Sequence, residues 1–282
     1  MQAIRSAGPS APRPMLIAQF SDLHLRLADP ARRDRVDTVA LLRACLGHLQ
    51  RQDPAPDLLL LTGDLTESGR DAEYALLREL LRPLACPLLA IPGNHDERAA
   101  LRRHLPPPAG AERLPHPDFM QYALRIGALR FIALDTVVAG QPHGELCELR
   151  LRWLEQQLGQ DERPAVLLMH HPPFATGIAH MDAMGLLRGA APLEQLVARH
   201  PQVQAVLCGH LHRAIQTSFG GRLASTAPGT AHQIALDLRP AGPASFVMEP
   251  PGYLLHLWQG GRLLSHQAVV GDFAGPYDFE LF

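Results

Sequence analysis

The chain has 282 residues, 46% of them apolar, which is enough to bury a sizeable core and too apolar for a disordered polymer. Lysine and arginine total 26 against 28 acidic residues, a net charge of −2, so no broad positive field gathers nucleic acid or an anionic membrane. Small or neutral partners are favoured over polymers.

The opening MQAIRSAGPSAPRPM holds two arginines and three prolines but no apolar run of the length that an exported leader needs, and no later run reaches a membrane span. A flexible segment over residues 1–14 is expected, ahead of a single domain over 15–282 that sits in the cytoplasm. MLIAQF (15–20) then reads as a buried strand, and VDTVALLRACLGHLQ (36–50) as a helix with apolar residues at helical spacing. DLLLLTGD (57–64), CPLLAIPGN (86–94), RFIALDT (130–136), AVLLMHH (165–171) and VQAVLCGH (203–210) are further strands, each closed by a turn or polar cluster. Helices are expected over 70–82, 97–104, 148–158 and around 192–200. Strand and helix alternate, so the fold class is α/β. From Arg213 onward the chain changes to short strand-like pieces between Gly- and Pro-rich turns, which predicts an antiparallel sheet of C-terminal strands. Cys45, Cys86, Cys147 and Cys208 form no C-x-x-C pair, as expected of reduced, mostly buried thiols rather than a disulfide framework or zinc ribbon.

The polar residues fall at strand ends. In open α/β sheets ligands gather at the carboxyl ends of strands, and those ends carry Asp22 and His24 (SDLH), Asp64 (TGD), Asn94 and His95 (GNHD), His170 and His171 (MHHPP), and His210 and His212 (GHLH). Each alone has an ordinary explanation: Ser-Asp caps a helix, Gly-Asp makes a turn, and in GNHD Asn94 turns the chain while Asp96 caps the helix that follows. Five strands delivering carboxylate, imidazole or amide oxygen to one rim is the pattern that a pair of divalent metals needs. Alternation along an extended segment puts Asp22 and His24 on one side, able to chelate one ion, and His212 completes that set. Asp64, with two carboxylate oxygens, can bridge both ions. Asn94, His170 and His210 offer the second ion mixed oxygen and nitrogen donors.

D-x-H, G-D, G-N-H-D, a later His and G-H-x-H, in this order from Asp22 to His212, resemble the calcineurin-like metallophosphoesterase family. The resemblance implies a four-layer α/β/β/α sandwich of two mixed sheets flanked by helices. It implies one metal on Asp22, His24, Asp64 and His212 and a second on Asp64, Asn94, His170 and His210, with a hydroxide between them that attacks phosphorus. By the same resemblance His95 faces the phosphorus, catalytic together with Asp64 and Asn94. Asp96 orients its neighbours or caps the next helix, and His171 stands beside the ligands or against substrate. Two ions would be bound per chain, of Fe, Mn, Zn or Co, since these donors suit all four.

The absence of a large inserted cap and the phrases HHPPFATGIAHMDAMGL and PPGYLLHL resemble the branch of cyclic-nucleotide phosphodiesterases and glycerophosphodiesterases. The expected substrate is therefore a small phosphodiester. A phosphonate or phosphate monoesterase is the alternative, ahead of a nuclease, for which no basic cluster exists, and of a scaffold without metals, for which no ligand is missing. A homodimer or higher homo-oligomer is compatible with the sequence. His48, His104, His116, His200, His256 and His266 lack metal spacing and read as surface or core residues. His143, His180 and His232 follow strand ends and read as structural, with reach to substrate as the alternative, and Tyr253 is either core or a wall of the site. The segment from Pro172 to Ala191 is either a lid over the leaving group, or packing of the connection to the next helix, or a contact between two chains of a dimer.

Overall fold

The computed structural model describes residues 13–27 and 36–281; the segment expected to be flexible lies outside the described residues up to position 12. In chain order the elements are β1 (Met15–Phe20), α1 (Thr38–Gln50), β2 (Leu58–Thr62), α2 (Asp71–Leu81), β3 (Leu88–Ile91) and α3 (Arg98–His104). β4 (Glu112–Arg113), β5 (Tyr122–Ile126), β6 (Leu129–Ala133), β7 (Gly144–Glu145) and α4 (Glu148–Gln160) follow. Next come β8 (Ala165–Leu168), α5 (Ala179–Asp182), β9 (Leu186–Arg188), α6 (Ala190–Arg199) and β10 (Val203–Cys208). Then come β11 (Ile215–Phe219), β12 (Arg222–Thr226), β13 (Gln233–Ile234), β14 (Phe246–Val247), β15 (Gly252–Gln259) and β16 (Arg262–Val269), followed by a short 3-10 turn over Phe279–Leu281.

Each predicted helix forms where its apolar spacing places it. Leu42, Cys45, Leu46 and Leu49 lie on the buried stripe of α1 at the i, i+3, i+4, i+7 spacing of one helical face, and Asp37 starts the helix by accepting from Ala40 N at 2.9 Å. Tyr74, Leu77 and Leu81 do the same for α2. Leucine-rich β2 is buried at every position, as a strand covered on both faces must be.

One sheet runs β16-β15-β1-β2-β3 and the other β11-β12-β10-β8-β6-β5-β4. β1, β2 and β3 pair in parallel, as do β6, β8, β10 and β12, while β15 joins β1 antiparallel; both sheets are therefore mixed. Phe20, Leu60, Tyr122, Phe131, Val166 and Leu207 share the core between the sheets, and α1 and α2 pack into the same cluster. Trp153 and Leu154 of α4 and Leu193 of α6 cover the far face of the second sheet against Ile132, Leu167 and Val206. This is the expected four-layer sandwich.

One expectation holds only in part. The C-terminal strands do pair antiparallel but do not form one sheet together: β11 and β12 extend the second sheet, β15 and β16 extend the first, and β13 and β14 form a two-stranded sheet apart from both. Their alternating apolar pattern specifies a half-buried strand without specifying its partner. All four cysteines are free.

Candidate metal centre

The parallel strands β1, β2, β3, β8 and β10 end at one rim, and the loops leaving them bring the predicted donors together. Asp22, His24 and His212 hold ligand atoms within 4.8 Å of one another, as do Asp22, Asp64 and His170. Asp64 is central: its Oδ2 lies 3.6 Å from His24 Nε2 and 3.4 Å from His170 Nε2. Asn94 Oδ1 stands 3.2 Å from His170 Nε2, and Asp22 Oδ1 lies 3.6 Å from His212 Nε2. His210 Nε2 is buried with no hydrogen-bond partner among the described residues.

The convergence depends on backbone that non-glycine residues rarely adopt. Asp22, His24, Asp64, His210 and His212 all have left-handed φ, between 43° and 72°, a conformation that costs about 1–3 kcal/mol per residue and clusters at functional sites. Asp22 and His24 therefore do not meet by alternation along an extended segment, as the sequence reading held. They leave β1 in a tight left-handed path that the parallel loop after β2 supports, with His24 N donating to Asp64 O at 2.9 Å. Glycine is required opposite: a Cβ on Gly93 would lie 2.2 Å from Asp64 Oδ1, and one on Gly63 2.4 Å from His170 Nδ1.

Three imidazoles have their tautomers fixed from behind. His24 Nδ1 faces Glu67 Oε2 at 2.8 Å, His170 Nδ1 faces Thr62 O at 2.8 Å, and His212 Nδ1 faces His232 O at 2.9 Å. With Nδ1–H donated outward, each Nε2 presents a lone pair inward. His24 Nε2 and His212 Nε2 then lie 3.1 Å apart, and His170 Nε2 faces Asn94 Oδ1 and Asp64 Oδ2. Acceptors set against acceptors repel unless a cation lies among them, so these residues fit a metal centre.

The electrostatics agree. Burial pulls His170 down, but Asp64 and Asp22 outweigh it and raise it to about 9. Burial likewise opposes protonation of His24, yet the Glu67, Asp64 and Asp22 carboxylates raise it. Asp64 is buried, which alone would raise it, but His170 and His24 hold it well below the usual carboxylate range. Burial and the nearby His24 depress His212 to about 3, and burial with His170 depresses His210 well below its ordinary value. The upward shifts of His170 and His24 favour positive charge beside Asp22 and Asp64, the sign of charge that a bound cation would supply there.

Around this centre Asp96 is buried and accepts from Leu65 N, Thr66 N, Thr66 Oγ1, Tyr74 Oη and Gly93 N at 2.8–3.4 Å. It orients the Asp64 and Asn94 loops, whereas α3 is capped by Glu97, which accepts from Ala99 N and Ala100 N. His95 N donates to Asp64 Oδ1 at 2.9 Å, its Nδ1 faces Glu67 O at 3.1 Å, and its ring lies 4.6 Å from that of His24. His171 is fully buried, with Nδ1 on Thr136 Oγ1 at 2.8 Å and Nε2 on Pro142 O at 3.1 Å. Both ring nitrogens thus face oxygen partners, and the ring stands beside those of His170 and His210 at 4.8 and 4.7 Å.

Two residues went unremarked or undervalued in the sequence. Glu67 lies three positions after Asp64 in the same loop, a placement that could have marked it. His232 read as structural, yet its ring sits 4.4 Å from His212 and 5.5 Å from His24; burial with the neighbouring imidazoles depresses it to about 3. No local spacing signals its approach. Tyr253 is core, paired with Phe20 and His48.

The family model for calcineurin-like phosphoesterases matches residues 15–214. The chain belongs to the calcineurin-like phosphoesterases. It is 38% identical over 267 residues to a probable glycerophosphodiester phosphodiesterase GpdQ of Arcobacter nitrofigilis, covering 94% of this chain and 97% of that protein. It is 31% identical to the 3',5'-cyclic adenosine monophosphate phosphodiesterase CpdA of Pseudomonas aeruginosa, covering 96% of each. A dimetal phosphatase from Danio rerio shares the fold, with a TM-score of 0.64 at 14% identity over 91% of this chain and 99% of that one. A calcineurin-like phosphoesterase is a metal-dependent phosphoric ester hydrolase, and the family implies a dinuclear divalent centre.

Proposed function

We propose that this chain is a phosphodiesterase that hydrolyses a small diester of the cyclic-nucleotide or glycerophosphodiester type, its catalytic domain spanning 15–282. The observation that carries the assignment is the set of inward-facing acceptors around Asp64, above all the two Nε2 atoms 3.1 Å apart. The diester class is supported by the activities for which the relatives matching over nearly the whole chain are named.

Asp22, His24, Asp64 and His212 would hold one ion and Asp64, Asn94, His170 and His210 the other, with Fe, Mn, Zn or Co as the metals these donors suit. When bound, two such ions activate water and neutralise charge on the phosphoryl group. The chain's own residues do the rest. Glu67 orients His24 with its carboxylate and His95 with its carbonyl. His95, its Nδ1 occupied, presents Nε2 toward substrate, where in its doubly protonated form it donates to a phosphoryl oxygen or to the departing alkoxide. The charge balance, 26 basic against 28 acidic residues, favours a small substrate over a polyanionic polymer.

The test is a panel of cyclic nucleotides, glycerophosphodiesters, phosphonate esters and nitrophenyl esters, run with each metal in turn. Faster turnover of the diesters than of the matched monoesters is expected. Preference for phosphate or phosphonate monoesters under every metal would refute the diester assignment.

A further inference from the structure

The hairpin β13–β14 belongs to neither large sheet. Its register sets Ile234 opposite Phe246, so the two side chains leave the hairpin on the same side. Ile234 packs on Ile178, Met181 and Leu211, and Gln233 donates to Gly229 O at 2.8 Å. The hairpin is thereby fixed to the body, and the segment around Ile178 and Met181 serves as its support.

Phe246 extends a series of rings outward from the metal centre. The His232 ring lies 4.4 Å from that of His212, and the Phe246 ring lies 4.9 Å from that of His232 at an interplanar angle of 61°. An edgewise contact leaves a ring face free, and Phe246 is 48% exposed. Leu236 and Met248 of the same hairpin are 64% and 53% exposed, so the surroundings are apolar as well.

A polar glycerol group gains little from such a face, whereas a planar base gains a stack. We propose that Phe246 is a specificity residue for nucleotide substrates: with the phosphoryl group at the metal centre, the base of a cyclic nucleotide stacks on the open face of its ring. This deepens the phosphodiesterase reading above and rests on it.

The test compares wild type, Phe246→Ala and Phe246→Tyr, each metal-loaded, on a cyclic purine nucleotide and on a glycerophosphodiester, with unfolding and sedimentation as controls. Phe246→Ala is expected to raise KM for the cyclic nucleotide roughly ten- to a hundredfold, the span of one base–aromatic stack. kcat and the kinetics on the glycerol diester stay unchanged, and Phe246→Tyr behaves as wild type. An equal change on both substrates, or no change on either, overturns the proposal while leaving the phosphodiesterase reading intact. So does a loss on both that accompanies altered sedimentation, which would make Phe246 a contact between chains. If wild type hydrolyses neither diester, the phosphodiesterase reading itself fails. Calorimetric binding of a purine nucleoside monophosphate to wild type and Phe246→Ala then still decides: weaker binding to the variant supports the stack, and equal affinity ends it.

Discussion

Replacing Asp96 by Asn keeps the shape of the side chain and removes one acceptor from a site that five donors enter. The amide settles with its oxygen toward Leu65 N and Gly93 N, because turning it round would set its NH2 against two backbone N–H groups. Its NH2 then faces Thr66 Oγ1 and Tyr74 Oη, which can accept, and Thr66 N, which cannot. One buried N–H is left without a partner, at about 1–3 kcal/mol, and the two bonds on the retained oxygen lose their charge assistance, at about 1 kcal/mol each. The Thr66 and Tyr74 hydroxyls, which donate to Asp96, must also find other acceptors, so these two energies set a lower bound. A loss of about 3–5 kcal/mol follows from these two terms. With a urea m-value of about 3 kcal/mol/M for a chain of this size, the midpoint falls by about 1 M or somewhat more. The assay is urea unfolding of chelator-treated protein, so that bound metal does not add to the apparent stability of wild type. Because Asp96 joins the Asp64 loop to the Asn94 loop, metal content after reloading falls as well. A midpoint within about 0.2 M of wild type would show that Asp96 does not carry these loops.

Asp64→Ala is expected to empty at least one metal position and abolish hydrolysis, read by elemental analysis; full metal content in the variant would end its assignment as the shared ligand. His95→Ala retains metal and lowers turnover by about 10²–10⁴-fold, whereas Asn94→Ala weakens one metal position. Metal loss in His95→Ala as large as in His210→Ala would refute that division. Loading is expected to release protons: without metal His170 keeps its proton up to about pH 9 and with metal it cannot, so affinity tightens as pH rises toward 9. Calorimetry in buffers of different ionisation enthalpy measures the release, and buffer-independent heats would contradict it.

The α/β core was legible because burial imposes a period. The stripe of Leu42, Cys45, Leu46 and Leu49 and the unbroken leucines of β2 are what helix and covered strand require, and both formed in place. Pairing was less legible. Tyr253 to Gln259 reads as a strand whatever lies beside it, and only the assembled chain shows β15 hydrogen-bonded to β1, some 240 residues away, with His256 Nε2 against Gln19 Oε1 at 3.0 Å between them. A long-range contact of this kind leaves no periodic trace in the local sequence.

The site was legible in its residue types and illegible in its geometry, and the difference has a physical origin. Seven donors at the ends of parallel strands must meet if the loops are short, whichever φ they adopt, so their identities were enough to gather them. How they meet depends on strain: five of the seven take left-handed φ, and residues of these types in a strand-end motif give no sign of it. The expense of about 1–3 kcal/mol at each such position is borne by what surrounds it, namely His210 N donating to Asp22 Oδ1 at 3.0 Å, His95 N to Asp64 Oδ1 at 2.9 Å, and Gly63 and Gly93 where a Cβ would collide. The supporting residues Glu67, Thr62 and His232 belong to the same compensation. Their value lies in an orientation imposed on a neighbour, and it becomes visible only once the neighbour's position is known.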